Sequence, residues 1–509
     1  AKDFSWVEFS INPKAKWHDG KPITVDDVVF TFTILPEKGD PSFKIALEQL
    51  KSVEKTGKNR VLFTFSQSNL RKLPLLVAQI PILPSHFWDG EKNALDKSTL
   101  VPPLGSGPYK VSNVNQGRSI TYERVKDYWA KDLPVNRGMY NFDVVDFQTF
   151  RDSTVALEGI KAGRYDVREE NISRNWATAY DTPAARDGRL LKQFIPHKLP
   201  TGNQAFVINS ERYPDRRVRE ALGLAFDFDW TNRVIFFGAY SQNSSFFQNT
   251  EFAAQGLPSK AELKLLEPFR DQLPPELFTT AYEAPSTEQK KTTIRDNLLK
   301  AQKLLNDAGY IIKDGVRVHK DTGEPLTASI LYYEPSFNRV FMPMINNLKR
   351  LGIPTHIKTV EIAQYQLLMD AKDYDISIMW YNNGVFFPGM EQKSYWSCET
   401  AQVKGSPNYA KACHPALDAL TKKLEAADDI DELRTTAHAL DRVLLWEHYT
   451  IPQYHISGFR LIHWDKFNKP KRPPSYSIGM TTWWMKKEGE QAVPSAAEAA
   501  PATTTEEAE

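Results

Sequence analysis

Cysteine is almost missing from this 509-residue chain, which holds only Cys398 and Cys413. Two cysteines cannot build a disulfide scaffold, and their spacing fits no zinc pattern. They bracket a polar stretch with Gly405, Pro407 and Asn408 inside, so its ends can meet. In an oxidising compartment the two would pair; in the cytosol they would be unrelated thiols. Long apolar runs are missing too. None approaches the ~18 residues that a membrane-spanning helix needs. No charge is in excess: 64 Lys and Arg face 63 Asp and Glu, a net charge of +1. That balance offers no global field for nucleic acid or for an anionic membrane.

Catalytic motifs are equally scarce. There is no G-x-S-x-G, no H-E-x-x-H and no Walker loop. Gly105-Ser106-Gly107 runs into Pro108-Tyr109-Lys110, which cannot complete a dinucleotide fingerprint. His18-Asp19 has the residues of an acid–base pair, but His-Asp-Gly between a strand and a capped helix reads as a tight turn. His448 and His455 have Pro452 between them and share no helical face, so no metal site is expected there. Carboxylates are plentiful. Sequence does not show which two face each other, so a glycosidase reading stays open.

What is present is globular. Apolar residues make up 41% of the chain and charged residues 25%. At roughly 150 residues per domain, the length suggests about three domains or two large lobes. Aromatics reach 12%, enough to build cores and to line a ligand cleft.

Several elements are legible. Thr24 caps a helix opening with Asp26 and Asp27, and Pro36 is expected to stop it. LKSVEKTGKNRVLFTF alternates on both sides of Thr56–Asn59, as a hairpin should. Ser153 to Lys161 reads as a helix closed by Gly163. Asp215 caps a helix, and Asp229 is expected to cap the next. Ile294 to Ala308 is amphipathic, with Leu298, Ala301, Leu305 and Ala308 on one face. Residues 326–384 alternate strand, helix, strand, helix, strand, which predicts a βαβαβ unit with a parallel sheet. Pro415 to Trp446 reads as two helices joined at Asp428-Asp429. The end, GEQAVPSAAEAAPATTTEEAE, has almost nothing to bury, so 487–509 is expected to be a disordered tail.

Parallel α/β sheets bind ligands at the carboxyl ends of their strands. For the last strand of the βαβαβ unit that end is Trp380-Tyr381-Asn382-Asn383-Gly384. Aromatics, amides and a glycine suit recognition. They suit a core and a turn equally well.

WVEFSINPKAKWHDGKPITVDDVVFTF, residues 6–32, resembles the signature of extracellular solute-binding proteins of the dipeptide and oligopeptide class, which serve ABC importers. GSGPY at 105–109, YERVKDYW at 122–129, VREAL at 218–222 and LLNDAGY at 304–310 follow in the family's order. ALEGIKAGRYD, FDFDWTNRVIF, PGMEQ at 388–392 and the closing Trp483-Trp484 look most like its YejA-like branch.

The resemblance implies an α/β, two-lobed Venus-flytrap fold whose cleft closes over a peptide. The chain would cross between lobes near Pro200 and near His455. Residues 105–200 and 456–486 would form the first lobe, 201–455 the second, and 1–104 part of an extra subdomain on the first. Family members begin upstream of the signature, and this chain opens almost inside a strand, so an N-terminal part is expected to be missing. The ligand contacts implied are Trp380, Tyr381, Asn382, Asn383 and Gly384, with Asn203, Gln204 and Phe206 beside the first crossing. In oligopeptide-binding relatives an Asp near this position pairs with the peptide's α-ammonium. Asn383 supplies an acceptor there without the charge. The resemblance further implies a periplasmic monomer that binds peptide, delivers it to the permease subunits of an ABC transporter, and needs no cofactor, metal or catalytic residue. In that compartment Cys398 and Cys413 are expected to form a disulfide. The same scaffold could carry a sugar, a metal chelate or an opine-like compound instead.

Overall fold

The computed structural model describes residues 1–487, except 69–72, 89, 91–92, 98, 198, 201–202, 288–291, 382–386, 390 and 473. The segment expected to be a disordered tail lies outside the described residues from 488 onward. The chain forms two compact units. One is Ala1–Lys198 together with the chain from Gly458; the other is Leu199–Ser457.

Among the described residues the first unit carries three three-stranded antiparallel sheets and one two-stranded one. Trp6–Ser10, Arg60–Phe65 and Leu50–Gly57 form one, with Gly57 opposite Arg60 at the hairpin end. The helix Val25–Lys38 buries Val25, Val28, Phe32 and Leu35. A capping box starts it: Thr24 accepts from the Asp27 N–H, and the Asp27 carboxylate accepts from the Thr24 N–H at 2.8 Å. Pro36 does not end this helix, which runs on to Lys38. Proline in the last turn forgoes one bond and leaves the preceding turns intact. The turn at His18 is structural, with its Nε2 2.9 Å from the Gly107 carbonyl oxygen, so two of the signature blocks are hydrogen-bonded to each other. In a further sheet the returning strand Gly458–Trp464 lies between Val167–Glu169 and Leu190–Pro196.

The second unit is built on five strands: β1 (Asn203–Ile208), β2 (Ala328–Tyr332), β3 (Thr355–Thr359), β4 (Ile376–Tyr381) and β5 (Thr450–Pro452). Their spatial order is β3-β2-β4-β1-β5. Helix α1 (Asn338–Arg350) links β2 to β3, and α2 (Ile362–Ala371) links β3 to β4. β2 is parallel to both β3 and β4, so the βαβαβ unit is there. The whole sheet is mixed, because β1 joins β4 antiparallel and β5 joins β1 antiparallel.

Both faces of this sheet are covered. Phe206, Ile208, Ile330, Ile376 and Ile378 enter one core with Phe341 and Leu348 of α1. Val207, Leu331 and Tyr381 enter the other with α3 (Pro415–Glu425) and α4 (Ile430–Trp446). Successive strand residues point to opposite faces, which explains the division. The Asp429 carboxylate accepts from the Glu432 N–H at 2.8 Å and caps α4. The cap expected at Asp229 is instead Asp227, which starts the helix Phe228–Val234. Asp229 sits in its first turn, where an acid suits the helix dipole.

Cys398 and Cys413 are joined in a disulfide. The loop that it closes is also held by buried polar groups. Asn408 donates to the carbonyls of Ser397 and Ala412 at 3.0 and 2.9 Å and accepts from the Ala412 N–H at 2.8 Å. The Lys372 ammonium, buried, donates to the carbonyls of Thr400 and Ala401 and to the Ser406 hydroxyl at 2.8–2.9 Å. Among the described residues no helix is long and apolar enough to cross a membrane.

Candidate functional site

β4 and β1 are antiparallel, so the carboxyl end of β4 lies beside the amino end of β1. Tyr381 is opposite Asn203, Trp380 opposite Gln204 and Ile378 opposite Phe206. Two groups of residues far apart in the chain thus meet at one end of one sheet. Asn382, Asn383 and Gly384 lie outside the described residues.

The residues brought together do not share a role. Trp380 is 55% exposed. Tyr381, one residue on, is 1% exposed. Its ring lies 4.5 Å from Trp396, 5.5 Å from Tyr395 and 6.0 Å from Phe246. Phe206 is also 1% exposed, packed 5.2 Å from Phe226 and 5.4 Å from Phe341. Tyr381 and Phe206 are therefore core residues and cannot touch a ligand as expected. Both strands are interior to the sheet, and each inward ring meets a packed layer.

Further aromatics gather at the carboxyl ends of these strands. Tyr332 closes β2 and Tyr333 follows it, their rings 4.7 Å apart. Tyr365 of α2 lies 5.0 Å from Tyr333, and its hydroxyl donates to the Ile378 carbonyl on β4 at 3.1 Å. Beyond β5, the Tyr454 ring lies 4.2 Å from that of Tyr240, tilted by 36°. Tyr332, Tyr333, Tyr365, Tyr240 and Tyr454 are all half-buried. Burial and the neighbouring phenols Tyr333, Tyr365 and Tyr454 push Tyr332 well above the ordinary range, so it stays a neutral phenol. Such a shelf offers flat apolar surface with polar tips. The sequence reading missed it, although the strand-end rule applied to LTASILYY points directly to Tyr332-Tyr333.

The remaining candidates separate. His455 Nδ1 lies 2.9 Å from the Asn243 Oδ1, while His448 is half-buried beside Glu220 with its ring 6.4 Å from Tyr282. Among the described residues no cluster of three or more His, Cys, Asp or Glu is placed to hold a metal ion.

Residues 1–402 match the family described as bacterial extracellular solute-binding proteins, family 5 Middle. The chain belongs to that family. It is 38% identical over 498 residues to the probable peptide-binding protein YejA of Agrobacterium fabrum, covering 96% of this chain and 80% of that one. Among solved structures it resembles the oligopeptide-binding protein AppA of Bacillus subtilis in complex with a nonapeptide. The TM-score is 0.72 at 20% identity, over 95% of this chain and 88% of that one. A periplasmic oligopeptide-binding protein of Thermotoga maritima with bound mannohexaose gives 0.69 at 17%, over 94% and 84%. This solute-binding protein has their two-lobed α/β fold. Its family serves ABC transporters outside the cytoplasm.

Proposed function

We propose that this solute-binding protein captures oligopeptides in the periplasm and delivers them, as a monomer, to the permease subunits of an ABC importer. The observation that carries the reading is the exposed Trp380 at the carboxyl end of β4, in register with Gln204 of β1. Ligands bind at such strand ends in α/β sheets. A peptide's repeating amides suit the amide residues Asn203, Gln204, Asn382 and Asn383, while its variable side chains suit Trp380 and the tyrosine shelf. A site that reads mostly backbone tolerates many sequences, which an uptake protein needs. The 38% identity to a probable peptide-binding protein supports the same ligand class.

A second reading, an oligosaccharide, is favoured by one observation. The half-buried rings of Tyr240 and Tyr454, 4.2 Å apart and tilted by 36°, offer aromatic surface of the kind that packs against a sugar face. Thermal shift and calorimetry with a mixed-sequence nonapeptide, shorter peptides and mannohexaose separate the two. Stabilisation by peptides alone supports the proposal. Stabilisation by mannohexaose alone replaces it with the second reading.

A further inference from the structure

Asp441 lies in α4 and is 0% exposed. Its Oδ1 accepts from the Phe246 N–H at 2.8 Å. Its Oδ2 accepts from the Ser245 hydroxyl at 2.7 Å and from the Ala254 N–H at 2.9 Å. One carboxylate thus ties both ends of the segment 245–254 to a core helix. The next residue, Arg442, grips the chain just beyond, donating to the carbonyls of Gln255, Gly256 and Leu257 at 2.7–3.1 Å.

The segment held in this way carries rings. Phe246 lies 5.1 Å from Trp396 and 6.0 Å from Tyr381. Phe252 lies 5.9 Å from Phe387. Tyr381 and Phe387 stand on either side of residues 382–386 in the chain, and Tyr381 follows the exposed Trp380.

We propose that Asp441 is a positioning residue for the Trp380–Tyr381 end of β4, acting through the segment 245–254 and its phenylalanines. The proposal rests on the reading that this strand end meets the ligand. A carboxylate has acceptor capacity for all three donors, whereas an amide would turn an N–H toward one of them. Protonation weakens the set: a proton on Oδ2 reverses the contact with the Ser245 hydroxyl, and the neutral acid is a poorer acceptor for the Phe246 and Ala254 N–H groups.

Burial pushes the Asp441 carboxyl up to about 6, against the pull of its three hydrogen bonds. Other titratable and charged groups face this region. His438, one turn back on α4, has Nε2 2.9 Å from the Glu251 carbonyl and Nδ1 3.6 Å from Glu262. Glu262, from the helix Lys260–Leu266, is paired with Arg442 at 2.6 Å. Glu251 is paired with Arg434, and the Tyr282 phenol feels the Asp441 charge. The fold holds the Asp441 proton more tightly than the unfolded chain does. Acidification from pH 6 to 4 therefore favours the fold through this group while it loosens the segment 245–254. The contribution of this group to stability and the ring position then respond in opposite directions.

The test labels the whole chain with 5-fluorotryptophan and follows 19F NMR from pH 5 to 7.5, the Trp380 resonance being assigned by its loss in Trp380→Phe. The parent should show a Trp380 titration with a midpoint near 6 that disappears in Asp441→Asn. Ser245→Ala removes one donor, so it should keep the titration with a higher midpoint; it also serves if Asp441→Asn does not fold. A flat parent profile overturns the proposal. So does an unchanged titration in Asp441→Asn, which would assign the effect to His438. Nonapeptide affinity is measured separately on Trp380→Ala. If that affinity equals the parent's while the titration is as expected, the ligand reading fails and the positioning role stands.

Discussion

Trp380 and Tyr381 are neighbours on β4, yet one residue is 55% exposed and the other 1%. Alternation sends them to opposite faces, and only the Tyr381 face is covered at this end of the strand.

That difference predicts separable phenotypes. Trp380→Ala should leave melting unchanged and weaken peptide binding by about 1–3 kcal/mol, the effect of losing an aromatic anchor. Tyr381→Ala and Phe206→Ala should each cost about 3–5 kcal/mol of stability, as emptied aromatic sites do. Denaturant melts and calorimetry on the three variants check both halves.

Thiol titration of the denatured, non-reduced protein should find no free thiol. Reduction should destabilise the protein by up to about 3 kcal/mol, the loop-closure value for a bridge of this span. The reduced protein should stay folded at neutral pH, because Asn408 and Lys372 hold the same loop.

Acid should weaken the first unit through His463. Burial lowers this imidazole to about 4, and the Lys469 ammonium, 2.7 Å from its Nε2, acts in the same direction. The folded state keeps His463 neutral while the unfolded chain protonates near 6.5, so stability is lost as pH falls from about 6.5 to 4. The contribution is up to about 3 kcal/mol at roughly 1.4 kcal/mol per pH unit. His463→Gln should flatten that part of the profile in pH-dependent melts. An equally steep profile in the variant would assign the loss to other groups.

Base should act in the opposite direction through Lys372. Burial lowers its ammonium from 10.5 to about 8, with Lys411 adding a like charge. The folded state releases this proton first, so stability should rise between about pH 8 and 10.5. Lys372→Met should abolish that rise in melts across the window.

Much of the fold could be read from the residues. The caps at Thr24 and Asp215 and the apolar stripe from Leu298 to Leu305 are local features, set by a few adjacent residues. So is the strand–helix alternation of 326–384, and so are the motif blocks that place the chain in its family. Pro36 and Asp229 show the limit of local reading, since each lies within two residues of a boundary set by the surrounding turn.

The sequence by itself determined the elements, their order and the family. It also marked Trp380 to Gly384 as the end of a strand. Which rings reach solvent was decided only by tertiary structure. Period two says that Trp380 and Tyr381 face opposite ways, but not which side a helical layer covers, and Phe206 is buried because Phe226 and the α1 residue Phe341 pack over it. The tyrosine shelf likewise depends on β1 joining β4 and β5 in one mixed sheet. That pairing unites residues about 180 and 250 positions apart, and no local pattern encodes contacts at such separation.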